Sequence, residues 1–260
     1  MQRAISAGRL PSPLPDPHPS RWPCNGFRRC ALLFSFIFGP SEYLNSYEYT
    51  KCMTQPSGIR NILFDLGGVI LDINVQATQQ RFYEMGLPSI FMNYPENMTT
   101  DLFFRYETGK LDTGSFRNEV RRLSGLDVSD AAIDEAWTAM LVGIPSSRTN
   151  LLRRLSERYD LYMLSNTCPM HVPVFEKMFR DASGVSMQDL FKKIFYSFEI
   201  GYHKPDREAF EYVICDTGIV PEETYFLDDN IHNIKTSQEL GFRAIHIHER
   251  TSMMDLGYDM

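Results

Sequence analysis

The stretch Ile62-Leu63-Phe64-Asp65-Leu66-Gly67-Gly68-Val69-Ile70 decides the fold. An apolar run of strand character stops at a carboxylate, and two glycines follow at once. A strand that ends this way sets Asp65 at the carboxyl edge of a sheet. The glycines let the backbone turn tightly and leave space for a ligand. A carboxylate in that place can be a nucleophile or a metal ligand. It can equally be an Asp that caps an ordinary turn after a core strand. The rest of the chain has to choose between the two.

Downstream of residue 143 the pattern alternates. A helix is predicted over 147–158, then a strand over 161–164 that ends at Ser165-Asn166. A helical stretch over 173–179 leads to a strand over 193–197 and a loop through Gly201-Tyr202-His203-Lys204-Pro205. A helix over 206–216 precedes a strand over 225–227 that ends at Asp228-Asp229. Asn230 opens a helix over 231–240, Gly241 ends it, and a last strand runs over 243–248. Strand and helix alternate four times, which predicts an α/β fold with a Rossmann-like, doubly wound parallel sheet.

Between the first strand and this series lies a mostly helical insert, 74–143. Residues 75–85 form one helical segment, and 98–106, carrying Leu102, Phe103 and Tyr106, form another. Phe116, Val120 and Leu123 mark a third, and Ile133, Trp137, Met140 and Leu141 a fourth. Asp112 and Ser129 stand where N-caps belong. The insert reads as a small helical bundle, its aromatic and Met content serving as bundle core. The expected organisation is a core domain of 53–73 and 144–260 with an inserted helical domain of 74–143.

Residues 1–52 differ from the remainder. The first eighteen are rich in Pro, Ser, Arg and Gly without period, and the whole of 1–52 is expected to be a disordered N-terminal extension. The apolar run over 30–38 is too short to span a bilayer and lacks a small-x-small cleavage site after it. Met53 is therefore the expected biological start, with an upstream extension before it. A formal charge of −7 argues against a general nucleic-acid binder and leaves a divalent cation possible. Cys24, Cys30, Cys52, Cys168 and Cys215 are odd in number and scattered. They read as free thiols of a reducing compartment, so a cytoplasmic protein without a membrane partner is expected.

In such a sheet, ligands bind beyond the carboxyl ends of the strands. Asp65, Ser165 and Asp228/Asp229 all stand at such ends, and Lys204-Pro205 follows the third strand closely. Carboxylates there suit a hard, oxygen-seeking cation such as Mg²⁺, and the Lys and Ser suit a phosphate. Each has an ordinary alternative: a turn at Ser165-Asn166, a loop at Lys204-Pro205, an N-cap at Asp228-Asp229-Asn230. All four in order, each after an apolar strand, make those alternatives hard to hold jointly.

Phe-Asp-Leu-Gly-Gly-Val at 64–69, Leu-Ser-Asn at 164–166, Lys-Pro at 204–205 and Leu-Asp-Asp-Asn at 227–230 together resemble the haloacid dehalogenase-like hydrolase superfamily, over about residues 59–248. The nearest likeness is to its sugar-phosphate phosphatase branch, and the insert resembles that family's helical cap. The resemblance implies a Mg²⁺-dependent phosphatase of a small phosphorylated metabolite, monomeric or homodimeric. Asp65 would be the nucleophile and Lys204 would bridge it to the phosphate. Ser165 and Asn166 would hold phosphoryl oxygens. Asp65, Asp228, Asp229 and the Gly67 carbonyl would hold Mg²⁺.

One position departs from the family pattern. Most phosphatases of the superfamily carry a second Asp, as acid and base, where this chain has Gly67. Loss of a positioned acid costs about 10²- to 10⁴-fold. Three readings follow. The substrate has a good leaving group, such as an anomeric oxygen. Or Glu107 or His203 supplies the proton. Or the protein is a weak relative that only binds a phosphorylated ligand. A 2-haloacid dehalogenase also lacks the second Asp, but the paired Asp228-Asp229 speaks against it. Arg105 and Glu107 are candidates for substrate selection. His246 and His248 read as packing or surface positions, and Arg121-Arg122 and Arg153-Arg154 as solvated helix faces. Cys168 reads as a buried bystander, and His171 and His232 suggest no role.

Overall fold

The structure, a computed structural model, describes residues 58–86 and 101–255. The extension through residue 52, Met53, the three N-terminal cysteines and residues 98–100 lie outside them. Five parallel strands form the sheet: β1 (Asn61–Phe64), β4 (Asp160–Ser165), β5 (Lys193–Tyr196), β6 (Thr224–Asp228) and β7 (Arg243–His246). Their order is β5-β4-β1-β6-β7. The chain builds outward from β1 to β5 on one side, then crosses back to lay β6 and β7 on the other. β1 is thus the switch point, where connections leave in opposite directions and open a crevice at its carboxyl end. Phe64 lies beside Met163 on one flank and Leu227 on the other. Asp65, Ser165 and Asp228 therefore leave the same edge.

All four residues of β1 are buried, as a central parallel strand covered on both faces requires. Alternation sends Ile62, Phe64, Met163 and Leu227 to one face and Leu63, Tyr162, Leu164 and Phe226 to the other. The first face is covered by α5 (Ser146–Ser156) and α6 (Val172–Ser183). The second is covered by α8 (Arg207–Thr217) and α9 (Ile231–Glu239), through residues such as Leu152, Phe179, Phe210 and Ile234. The expected doubly wound α/β architecture is therefore what the chain adopts.

The insert holds α1 (Val75–Glu84), α2 (Asp101–Glu107), α3 (Thr113–Ser124) and α4 (Asp130–Thr138). The predicted caps are made: Asp112 accepts from Ser115 N–H at 2.9 Å and Ser129 from Ala132 N–H at 3.3 Å. Phe103 stacks on Trp137 at 4.9 Å and Tyr106 on Phe116 at 4.3 Å. These side chains belong to the same apolar cluster as one face of the sheet.

Several local expectations are corrected. The fourth helix stops at Thr138. Leu141 lies instead in a short strand, β3 (Leu141–Gly143), paired antiparallel with β2 (Asp72–Ile73). Ser197 opens a short helix, α7 (Ser197–Ile200), rather than closing a strand. Arg121 is not a solvated residue: its guanidinium bonds the Val128 carbonyl at 2.6 Å and the Asp130 carboxylate, tying α3 to α4. His171 stacks on Trp137 at 5.4 Å, and its Nε2 meets the Trp137 carbonyl at 3.2 Å.

Burial holds the His171 imidazole below the ordinary histidine range, against the pull of that carbonyl and of Glu107. The unfolded chain takes a proton near pH 6.5 that the native state refuses, so stability falls as pH drops below that value. His171→Phe, which cannot titrate, is expected to flatten the fall between pH 7 and pH 5. Its loss at neutral pH is about 1 kcal/mol for the missing hydrogen bond. Denaturant unfolding of both forms at the two pH values measures this, and parallel slopes would contradict it.

Candidate active site

Asp65 follows β1 directly, and its N–H donates to the Leu227 carbonyl at 2.8 Å, which continues the β1–β6 register past the strand end. The chain then turns tightly. The N–H groups of Ile70 and Leu71 return to the Leu66 carbonyl at 2.9 and 2.8 Å, and Gly68 N–H donates to Leu71 O at 2.9 Å. Gly68 has φ +72°, and a Cβ there would stand 2.1 Å from Asp229 Oδ2. Gly67 is different. It lies outside the left-handed region, and a Cβ would meet only Ile73 methyls at 3.5 and 3.6 Å, an ordinary contact. The second glycine is required by the turn and by the neighbouring carboxylate. The first is a position that would accept a side chain.

Lys204 comes from the loop after β5 and is 1 % exposed. Its Nζ donates to Asp65 Oδ1 at 2.8 Å and to Asp228 Oδ2 at 2.6 Å. Asp228 is also held by Asn233 Nδ2, at 2.9 and 3.0 Å to its two oxygens, and by Asn230 N–H at 2.8 Å. Oxygens of Asp65, Asp228 and Asp229 lie within 4.8 Å of one another. Three carboxylates against one ammonium leave a formal excess of two negative charges. The surroundings together push the Asp65 carboxyl up to about 7: burial is the largest push, the Lys204 charge pulls down against it, and the Asp228 and Asp229 charges add to the rise. Burial alone would drive Lys204 toward its neutral form, but Asp228 and Asp65 outweigh it and hold the ammonium above its ordinary range. A divalent cation matches both the oxygen donors and the unbalanced charge.

Ser165 stands buried at the end of β4, on this same edge. Asn166 turns its side chain to the Lys204 loop. Its Oδ1 accepts from the Lys204 N–H at 2.9 Å. Its Nδ2 donates to the Lys204 carbonyl at 2.8 Å and faces His203 Nδ1 at 3.0 Å. Both donors of the amide are engaged by the Lys204 loop, which leaves none for a phosphoryl oxygen. The Asn166 side chain is thus a clamp on that loop, so a phosphoryl oxygen held by this residue would be met by its backbone N–H rather than by its amide.

Glu107 and His203, candidates for the proton source in one of the three readings, are both buried and face each other, with Nε2 to Oε2 at 3.0 Å. Arg105 is half-buried two residues earlier on α2 and so does not share the face of Glu107. His246 Nε2 meets the Asp229 carbonyl at 2.9 Å, and Cys168 Sγ meets the Trp137 indole nitrogen at 3.2 Å. Asn233 was not singled out from the sequence. Its only local signal is its place in the first turn of the helix that Asn230 opens.

Gly68→Ala is expected to displace Asp229 and to lower stability by about 1–2 kcal/mol for the left-handed backbone alone. Gly67→Ala is expected to fold as the parent does. Thermal unfolding of the two variants compares them directly, and equal losses would contradict this reading of the turn.

Comparison with known proteins agrees with these motifs. A family model described as haloacid dehalogenase-like hydrolase matches residues 59–241. A D-ribitol-5-phosphate phosphatase of Bacteroides thetaiotaomicron is 32% identical over 186 residues, 72% of this chain and 90% of that protein. A HAD family enzyme of the same organism, solved in complex with magnesium and inorganic phosphate, is 35% identical with a TM-score of 0.70. The match covers 76% of this chain and 99% of that one. A predicted HAD-like family hydrolase from Porphyromonas gingivalis is 31% identical with a TM-score of 0.68, over 73% of this chain and 91% of that structure. With this sheet order, these four motifs and this coverage, the chain belongs to the haloacid dehalogenase-like hydrolases.

Proposed function

We propose that this protein is a Mg²⁺-dependent phosphatase acting on a small phosphorylated metabolite, a sugar or sugar-alcohol phosphate. The observation that carries the reading is the buried Lys204 ammonium shared between Asp65 and Asp228, with Asp229 beside them. The named activity of the B. thetaiotaomicron relative supports the substrate class, and the magnesium and phosphate in its compatriot support the metal.

Asp65, Asp228, Asp229 and the Gly67 carbonyl would hold Mg²⁺, which when bound offsets negative charge on the cluster and on the phosphoryl group. Lys204 holds the Asp65 carboxylate in place and presents positive charge where the phosphoryl oxygens gather. Ser165 donates its hydroxyl to one of those oxygens. An Asp65 oxygen attacks phosphorus, an O–P bond forms, and the bond to the substrate oxygen breaks. The result is an acyl phosphate. Water then attacks phosphorus, the Asp65 O–P bond breaks, and inorganic phosphate leaves with Asp65 restored; the proton that water gives up balances the one the departing substrate oxygen takes from solvent. Gly67 supplies no proton to the departing oxygen, so substrates whose oxygen leaves without help react best. A small phosphorylated substrate needs no nucleic acid, and no helix among the described residues is long and apolar enough to cross a membrane.

Phosphate release is measured from D-ribitol 5-phosphate, an anomeric sugar phosphate and p-nitrophenyl phosphate, with Mg²⁺ or with EDTA. Turnover is expected to need the metal and to vanish in Asp65→Asn. Gly67→Asp is expected to raise turnover of the alkyl phosphate about 10-fold or more, and that of the aryl phosphate far less, since only the former lacks a good leaving group. Halide release from a 2-haloacid without metal, or no phosphate release from any substrate, would overturn the reading.

A further inference from the structure

We infer that Glu107, His203 and Asn166 form a latch that positions Lys204, so that the seating of α2 on the sheet edge sets the lysine between Asp65 and Asp228. The path is continuous. Glu107 Oε2 lies 3.0 Å from His203 Nε2, His203 Nδ1 lies 3.0 Å from Asn166 Nδ2, and Asn166 grips both the N–H and the C=O of Lys204 at 2.9 and 2.8 Å. Glu107 and Lys204 are 2 % and 1 % exposed.

The protons in this path are fixed by geometry. The Lys204 peptide leaves one orientation for the Asn166 amide, with Oδ1 toward the N–H and Nδ2 toward the C=O. The second hydrogen of Nδ2 then points at His203 Nδ1, which must accept. His203 therefore carries its hydrogen on Nε2 and donates it to the Glu107 carboxylate. Each contact of the path thus has a defined donor and acceptor, from the Lys204 peptide through Asn166 and His203 to the Glu107 carboxylate.

The insert is seated tightly where the latch begins. Gly109 has φ +69°, and a Cβ there would fall 2.2 Å from the Phe198 carbonyl oxygen of α7. The Phe104 ring lies 5.8 Å from the His203 ring. Glu107 thus sits between two contacts of the insert with the core. A buried carboxylate without its partner is costly, so the seated insert and the ordered lysine loop favour each other. Glu107, His203 and Asn166 are positioning residues, and their effect on rate rests on the phosphatase reading. Their effect on the Lys204 peptide does not.

Two readouts test this on the full chain. Selective ¹⁵N-lysine labelling follows the Lys204 backbone amide resonance, and steady-state kinetics with Mg²⁺ and p-nitrophenyl phosphate gives kcat and KM. Glu107→Ala is expected to shift the Lys204 amide and to lower kcat about 10- to 100-fold with a smaller change in KM. Glu107→Gln is expected to restore both, since its amide oxygen still accepts from His203 Nε2. Asn166→Asp makes a second cut. It keeps the acceptor for the Lys204 N–H but loses both donors, and it should move the same resonance. An unmoved Lys204 amide in Glu107→Ala and Asn166→Asp would overturn the latch. So would equal losses in Glu107→Gln and Glu107→Ala, which would assign Glu107 a role through its charge or proton. A wild-type chain without turnover would instead overturn the phosphatase reading, and the amide resonance would still decide the latch.

Discussion

A single ammonium buried between two aspartates constrains the rest of this molecule. Lys204 is reached from a loop after β5, Asp65 from the end of β1 and Asp228 from the end of β6, so the contact closes only if three strands finish at one level. Parallel pairing of β1 with β6 and, through β4, with β5 provides that level, and the switch in the side to which connections run at β1 provides the open space above it. Neither charge could be buried without the other, since an unpaired buried ion costs several kcal/mol. The site and the sheet are therefore mutually dependent, and a defect in either should appear in both.

Charge imbalance gives this arrangement its chemical character. Lys204 compensates one of the three carboxylates, and the Asp65 carboxyl is pushed up to about 7, first by burial and then by the Asp228 and Asp229 charges. A hard dication held by Asp65, Asp228 and Asp229 would offset their mutual repulsion and favour the anionic form of Asp65. Gly67 offers no side chain that could act as an acid beside Asp65. Its backbone and surroundings tolerate a side chain, so the missing acid reflects the residue chosen at that position and not a steric ban.

Much of this was legible in the sequence because it is written locally. An apolar run that ends on Asp, Ser or Asp-Asp needs only its own neighbours to be read, and so do the caps at Asp112, Ser129 and Asn230. The short strand β3 was missed because three residues have no period of their own. Leu141 is a strand residue only because β2, near residue 73, pairs with it. The clamp made by Asn166 is hidden for a related reason: its side-chain partner is Lys204, 38 residues away, and nothing beside Asn166 in the sequence points to it. Glu107 and His203 were both noticed as titratable residues near the site, but their contact spans 96 residues and joins insert to core. Arg121 looked solvated because its acceptors, the Val128 carbonyl and Asp130, lie beyond the turn that follows its helix.

The covalent state of Asp65 during turnover is the most direct measurement. The protein is mixed with Mg²⁺ and D-ribitol 5-phosphate, quenched in acid within the first turnover, digested and examined by mass spectrometry. A phosphoryl group on the peptide that carries Asp65, absent with EDTA and from Asp65→Asn, is the expected result. Steady phosphate release with no phosphoryl group on that peptide at any quench time would contradict it, and would mean that water attacks the substrate directly.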